Sequence, residues 1–150
     1  MVELKAVLID NCESFVSERM KTITEIISSN QDALQSETKS SAGDKHETGR
    51  AMLQLEMEKA SSQLESVNKM KETLGKITFH AVSDVSKLGS LVITSSGNYF
   101  LAISLGKIEV NNVVYYAVSL SSPIGKKLFG TKRGDSVDFN GRQIKILDIF

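Results

Sequence analysis

Proline occurs once in this chain, at Pro123. The 122 residues before it therefore keep every backbone N–H, so nothing of that kind interrupts a helix. In the first half glycine stands only at Gly43, Gly49 and Gly75. The apolar residues there repeat as long helices require. Val16, Met20, Ile23, Ile27, Asn30 and Leu34 step by 4, 3, 4, 3 and 4. Leu53, Met57, Ala60, Leu64, Val67, Lys71 and Leu74 step by 4, 3, 4, 3, 4 and 3. Alternating steps of three and four put one apolar seam along each helix. Asn30 and Lys71 are polar interruptions of the kind that fix register.

The seams break between Ser36 and Gly43, where the text is small and polar. Two seamed helices joined by a short turn fold back as an antiparallel hairpin. Arms of about 25–30 residues, at ~1.5 Å per residue, reach roughly 40 Å. That is more than the hairpin needs for its own stability.

After about Thr78 the period changes. Leu91–Thr94, a turn at 95–98 and Tyr99–Ile103 read as strand, turn, strand. Ile108–Val110, Asn111-Asn112 and Val113–Val118 read as a second hairpin. Ser122 suits a helix N-cap, Pro123 the first helical position and Gly130 the stop. Val137–Phe139 and Arg142–Ile146 flank Asn140-Gly141, a strong short hairpin signal. The expected fold class is α+β. A helical hairpin over residues 1–77, with its tip near 43–47, precedes a small antiparallel β domain over 78–150 that carries one short helix.

Charge and cysteine content narrow the function. The chain has 18 Lys/Arg and 18 Asp/Glu, without the excess positive charge that drives non-specific nucleic-acid binding. The halves differ in sign: residues 1–77 hold 10 basic and 13 acidic residues, residues 78–150 hold 8 and 5. Two surfaces with two roles are expected. The single cysteine, Cys12, makes no internal disulfide and no Cys-rich zinc site. It has no evident base, so it reads as a structural thiol. The apolar run Ala6–Ile9 is too short for a signal-peptide core or a membrane span. A cytoplasmic protein without membrane association is expected, and a monomer, since each seam finds its partner within the chain.

The segment Ser122-Pro123-Ile124-Gly125-Lys126-Lys127-Leu128-Phe129-Gly130-Thr131-Lys132-Arg133-Gly134-Asp135-Ser136-Val137 resembles the signature of the C-terminal domain of Gre transcript-cleavage factors. Ile144–Ile149 is similar to that family's final strand, and the hairpin to its first domain. Gre hairpin tips read G-D-x-x-E. Here Gly43-Asp44-Lys45-His46-Glu47 falls at the turn that the seams locate independently. The resemblance implies an FKBP-like β domain. It also implies a transcription elongation factor that binds bacterial RNA polymerase and inserts its hairpin into the secondary channel. There it stimulates Mg²⁺-dependent cleavage of backtracked RNA near the nascent 3′ end. The protein would be a cofactor-like stimulator of the polymerase's own hydrolytic activity, not a free-standing enzyme.

On that resemblance Asp44 and Glu47 are the catalytic pair, and Mg²⁺ ligands only in complex with polymerase. Mg²⁺ prefers oxygen ligands and commonly takes one or two carboxylates plus water. Two metal ions suit phosphodiester hydrolysis, one activating water and one steadying the leaving oxygen. A spacing of three at a helix start puts both carboxylates on one face. The pair also suits an N-cap with an acid in the first turn, which is compatible with catalysis. Lys39, Lys45 and Arg50 flank the tip and suit contact with RNA or channel walls. Lys126, Lys127, Lys132 and Arg133 suit docking to an acidic polymerase surface.

Where Gre factors continue N-A-E-Y, this chain has Thr48-Gly49-Arg50-Ala51. That departure supports an alternative: a non-cleaving secondary-channel modulator or inhibitor. Two readings of other classes are a coiled-coil adaptor and a free-standing enzyme built on Cys12. His46, His80 and the strand aromatics Tyr99, Phe100, Tyr115 and Tyr116 read as surface or packing residues.

Overall fold

The computed structural model describes the backbone of residues 2–39, 43–78 and 82–150, and within these all side chains except those of 37–39 and 43–47. The chain groups into two compact units: residues 16–70, and residues 1–15 together with 71–150.

Helix α1 spans Val2–Lys39 and helix α2 spans Gly43–Gly75. Both exceed the arms expected from the sequence. α1 starts well before Cys12, because the same spacing runs back through Leu8 to Lys5, all three buried. Lys5 disguised that continuation. Within residues 16–70 the seam forms as its period requires. Val16, Ile23, Asn30, Ala60 and Val67 are buried; Met20, Ile27, Leu34, Leu53, Met57 and Leu64 are half-buried. Each apolar side chain fully removed from water there contributes roughly 1.5–3 kcal/mol. Lys71 departs from expectation. It is exposed, and half-buried Met70 takes its place, so the seam runs Val67, Met70, Leu74. A step of three to Met70 keeps an apolar residue inward and leaves the ammonium in water.

The other unit holds a six-stranded sheet. Its strands are β1 (Leu91–Thr94), β2 (Gly97–Ala102), β3 (Gly106–Val110), β4 (Val113–Ser119), β5 (Ser136–Phe139) and β6 (Arg142–Ile149). They lie in the order β3-β4-β2-β1-β6-β5. Two tight turns form where their residues predict, while the turn expected at 95–98 shortens to Ser95-Ser96 because β2 begins at Gly97. Asn111 and Asn112 have φ 51 and 64, and Asn140 and Gly141 have φ 50 and 77, the left-handed pairs that two-residue hairpins need. One pairing differs from the expected antiparallel sheet: β2 and β4 run parallel, Tyr99 opposite Tyr116 and Leu101 opposite Val118. β3 takes the sheet edge, and its hairpin return inserts β4 between β3 and β2, in the same direction as β2.

Helix α3 (Pro123–Leu128) lays Ile124 and Leu128, four residues apart, on one sheet face. There Leu128 joins Val92, Leu101 and Ile146 in a fully buried cluster, flanked by Tyr99, Val118, Val137 and Ile149. Leu91 and Phe100 pair on the opposite face and are equally buried. Burial on both faces explains why β1 and β2 read as continuous apolar runs rather than alternating ones.

Candidate functional site

α1 ends at Lys39 and α2 begins at Gly43. Asp44 and Glu47 stand in the first turns of α2, as do Lys45 and His46. The side chains of Lys39, Asp44, Lys45, His46 and Glu47 lie outside the described residues, and His80 lies outside them altogether. Arg50 is described and exposed on α2. Among the described residues no three His, Cys, Asp or Glu side chains gather as metal ligands.

The basic cluster stands at the C-terminal end of α3, and the local sequence builds it. Ser122 caps α3, its Oγ accepting from the Gly125 N–H at 3.1 Å and donating to the Ser119 carbonyl at 2.6 Å. Pro123 sits at the first turn, where no N–H is needed. Gly125 has no room for a side chain: a Cβ there would lie 1.9 Å from the Ser119 carbonyl oxygen. After Phe129, Gly130 turns the chain at φ +79.

The exit is then fastened by two buried hydroxyls. Ser86 Oγ donates to the Leu128 carbonyl and accepts the Thr131 N–H at 2.9 Å. Thr131 Oγ1 donates to the same carbonyl at 2.7 Å. Two backbone bonds, Ser86 N–H to Thr131 O and Gly130 N–H to Ser86 O, both 2.9 Å, complete the knot. Lys132 N–H donates to Asp135 Oδ2 at 2.8 Å, closing the next turn.

Lys126 and Lys127 in the last turn of α3, and Lys132 and Arg133 beyond the knot, are all exposed. None is in an ion pair among the described residues. Phe129 stands among them in sequence, 54% exposed. Aromatic residues and arginine are enriched at protein contacts, whereas lysine is depleted there, so of this segment Phe129 and Arg133 have the more contact-like composition. The sequence marked the cations but gave no signal for Phe129, which reads there as the last apolar residue of an amphipathic turn. It gave none for Ser86 either, since a serine in a polar stretch resembles any loop residue.

Two further titratable groups are perturbed. Burial pushes the Cys12 thiol up to about 11, with the Glu13 carboxylate adding to it. A thiol so placed stays protonated at neutral pH and is a poor nucleophile. Burial also lowers the Lys5 ammonium below its ordinary range, and Lys87 lowers it further. Tyr99 and Tyr116 form a tilted ring pair, centroids 5.9 Å apart, while Phe100 and Tyr115 are buried in the sheet. The aromatics thus act mainly as packing.

No protein-family profile matches this sequence. No curated protein matches it either. Among solved structures, the GreA factor homolog 1 (Gfh1) protein of Thermus thermophilus is similar at 19% identity and TM-score 0.37, over 91% of this chain and 93% of that one. A second structure, described as the transcription factor Gfh1, is similar at 18% identity and TM-score 0.32, over 94% and 92%. No helix among the described residues is long and apolar enough to cross a membrane.

Proposed function

We propose that this chain regulates a bacterial RNA polymerase by inserting its helical hairpin into the secondary channel. The observation that carries the reading is where the two long helices end and begin. α1 ends at Lys39 and α2 begins at Gly43, so Gly43-Asp44-Lys45-His46-Glu47 opens the second arm. A long arm with carboxylates at its end suits delivery of those groups into a deep, narrow site.

In the finer reading, Asp44 and Glu47 serve Mg²⁺-dependent cleavage of backtracked RNA. Two carboxylates fit a hard cation, yet are too few to hold it without further oxygen ligands. The remaining ligands must come from the polymerase, whose own hydrolytic activity is stimulated. The bound ion would activate water and stabilise the leaving oxygen. Lys39, Lys45 and Arg50 would meet RNA phosphate or channel walls. The surface of Lys126, Lys127, Lys132, Arg133 and Phe129 would dock on the polymerase exterior. A second reading, occupation of the channel without cleavage, is favoured by Thr48-Gly49-Arg50 after the acidic pair, where Gly49 weakens the start of α2 by roughly 1 kcal/mol relative to Ala.

The test uses backtracked complexes of the cognate polymerase carrying labelled RNA, with Mg²⁺. The wild type should release short 3′ fragments, and the Asp44→Ala, Glu47→Ala double variant should not. If neither releases fragments while both bind polymerase, the cleavage reading fails and occupation of the channel stands.

A further inference from the structure

The β3 edge of the sheet is open. β3 ends the strand order, with β4 on one side and no strand of the described residues on the other. The opposite edge, β5, has α3 packed beside it. Proline and bulges are two devices that blunt an exposed edge. β3 has neither: its register with β4 runs unbroken from Gly106 to Val110. What it carries instead is one cation and one anion, Lys107 and Glu109.

The β3–β4 turn fixes which backbone groups face outward. Asn111-Asn112 is a two-residue turn, so Val110 and Val113 form a bonded pair, exchanging both backbone bonds. Alternation along the ladder makes Ile108–Tyr115 and Gly106–Ala117 bonded pairs as well. The N–H and C=O groups of Lys107 and Glu109 therefore point away from β4, out of the open edge. The side chains of these two residues share one sheet face, and both residues are exposed. Neither is in an ion pair among the described residues.

These charges select both the occupant and its register. Consider a second β3 laid antiparallel about a twofold axis at Ile108. Lys107 of each copy then stands opposite Glu109 of the other. Both positions carry outward backbone groups, so each such pair exchanges both backbone bonds, and its ammonium and carboxylate meet on the same face. Ile108 faces its twin at the closer, non-bonded position between them. Moving the axis to Lys107 sets lysine against lysine, and moving it to Glu109 sets glutamate against glutamate. One register alone satisfies backbone and charge together. An isologous contact requires both halves of every interaction on one surface, and β3 has them. β5 does not: its exposed residues, Ser136 and Asp138, include no cation.

We infer that two copies of this chain pair through β3, joining their sheets edge to edge about Ile108. Because the contact is isologous, it closes at two copies and covers the open edge of both. The strand offers five residues, against roughly 20–30 a side in a stable interface, so association is weak and depends on concentration. The contact involves the sheet-bearing unit and stands independently of the polymerase reading. The helical seams, which satisfy one another within the chain, take no part in it.

The experiment is sedimentation equilibrium of the full chain up to its solubility limit. The wild type should show a monomer–dimer equilibrium. Lys107→Glu and Glu109→Lys should each lower the association constant by about tenfold or more, since each sets like charges opposite one another at both pairs. An equimolar mixture of the two variants should associate again, because every cross-strand pair is then of opposite sign. The double variant, with the charges exchanged, should do the same. Both residues are exposed, so circular dichroism should be unchanged throughout. A wild type that is monomeric at every accessible concentration overturns the inference. So does a dimer indifferent to the single substitutions, or a failure of both the mixture and the double variant to restore association.

Discussion

Gly125→Ala isolates the geometric claim on which the α3 region rests. The added methyl would lie 1.9 Å from the Ser119 carbonyl oxygen, 2.8 Å from Ser122 Oγ and 2.9 Å from the Ser119 carbonyl carbon. Two of these three atoms are backbone, so α3 must move away by at least about 1 Å to restore van der Waals contact. That shift breaks the Ser122 cap, at about 1 kcal/mol, and its bond to Ser119, at about the same. Repacking Ile124 and Leu128 adds about 1–3 kcal/mol. The expected loss is about 3–5 kcal/mol, or roughly 12–40 °C in melting temperature for a unit of this size.

Two other glycines are internal controls. Gly130 has open space but φ +79, so alanine there should cost only about 1–2 kcal/mol. Gly75 has open space and an ordinary helical backbone, so alanine should be neutral or stabilise by up to about 1 kcal/mol. The assay is tyrosine fluorescence during thermal unfolding. The three tyrosines, Tyr99, Tyr115 and Tyr116, lie in β2 and β4, and there is no tryptophan, so the signal reports the sheet alone. A Gly125→Ala protein melting within about 5 °C of wild type, a shift worth only about 1 kcal/mol, refutes the close approach.

Three further outcomes are expected. Asn30→Leu should stabilise the hairpin by about 1–3 kcal/mol, since it removes a buried Nδ2 donor that has no partner among the described residues; hydrogen exchange of seam amides should slow, and faster exchange would contradict this. Lys5→Met should stabilise the sheet-bearing unit at neutral pH, because it removes the cost of burying a charge. The folded-state pKa of Lys5 is lowered, so that advantage should be full below it and close as pH rises past the ordinary value of 10.5. Cys12 should resist thiol reagents at pH 8 until the chain unfolds. Its pKa is raised from 9.0 to about 11, so stability should be intact below pH 9 and fall as pH rises from 9 to 11, a fall absent in Cys12→Ala.

Much of the fold is legible in the sequence because it rests on local periodicity. Steps of three and four give both helices, and Asn111-Asn112, Asn140-Gly141 and Ser122-Pro123 mark turns and a cap whose backbone those residues favour. What escapes is what non-local contacts decide. The parallel pairing of β2 with β4 follows from which edge β3 takes, and no local pattern encodes that. Lys71 and Met70 both fit a seam step after Val67, and only burial separates them. Lys5 hides the first turns of α1 because its alkyl stem packs like an apolar residue. Of the candidate site, the acidic tip and the four cations were visible as sequence motifs. Phe129 and the Ser86–Thr131 knot were not, since exposure and a bond across 45 residues are properties of the folded chain.

The central claim, that the hairpin enters the polymerase, is tested most directly by a photo-crosslinking residue in place of Arg50, an exposed position on α2 just beyond the acidic pair. The variant would be bound to the cognate core polymerase and irradiated. Crosslinks are expected to the polymerase residues that surround its catalytic Mg²⁺ at the inner end of the secondary channel. Crosslinks to the outer surface alone, or a complex in which Arg50 meets nothing while the β-bearing unit binds, would contradict the claim.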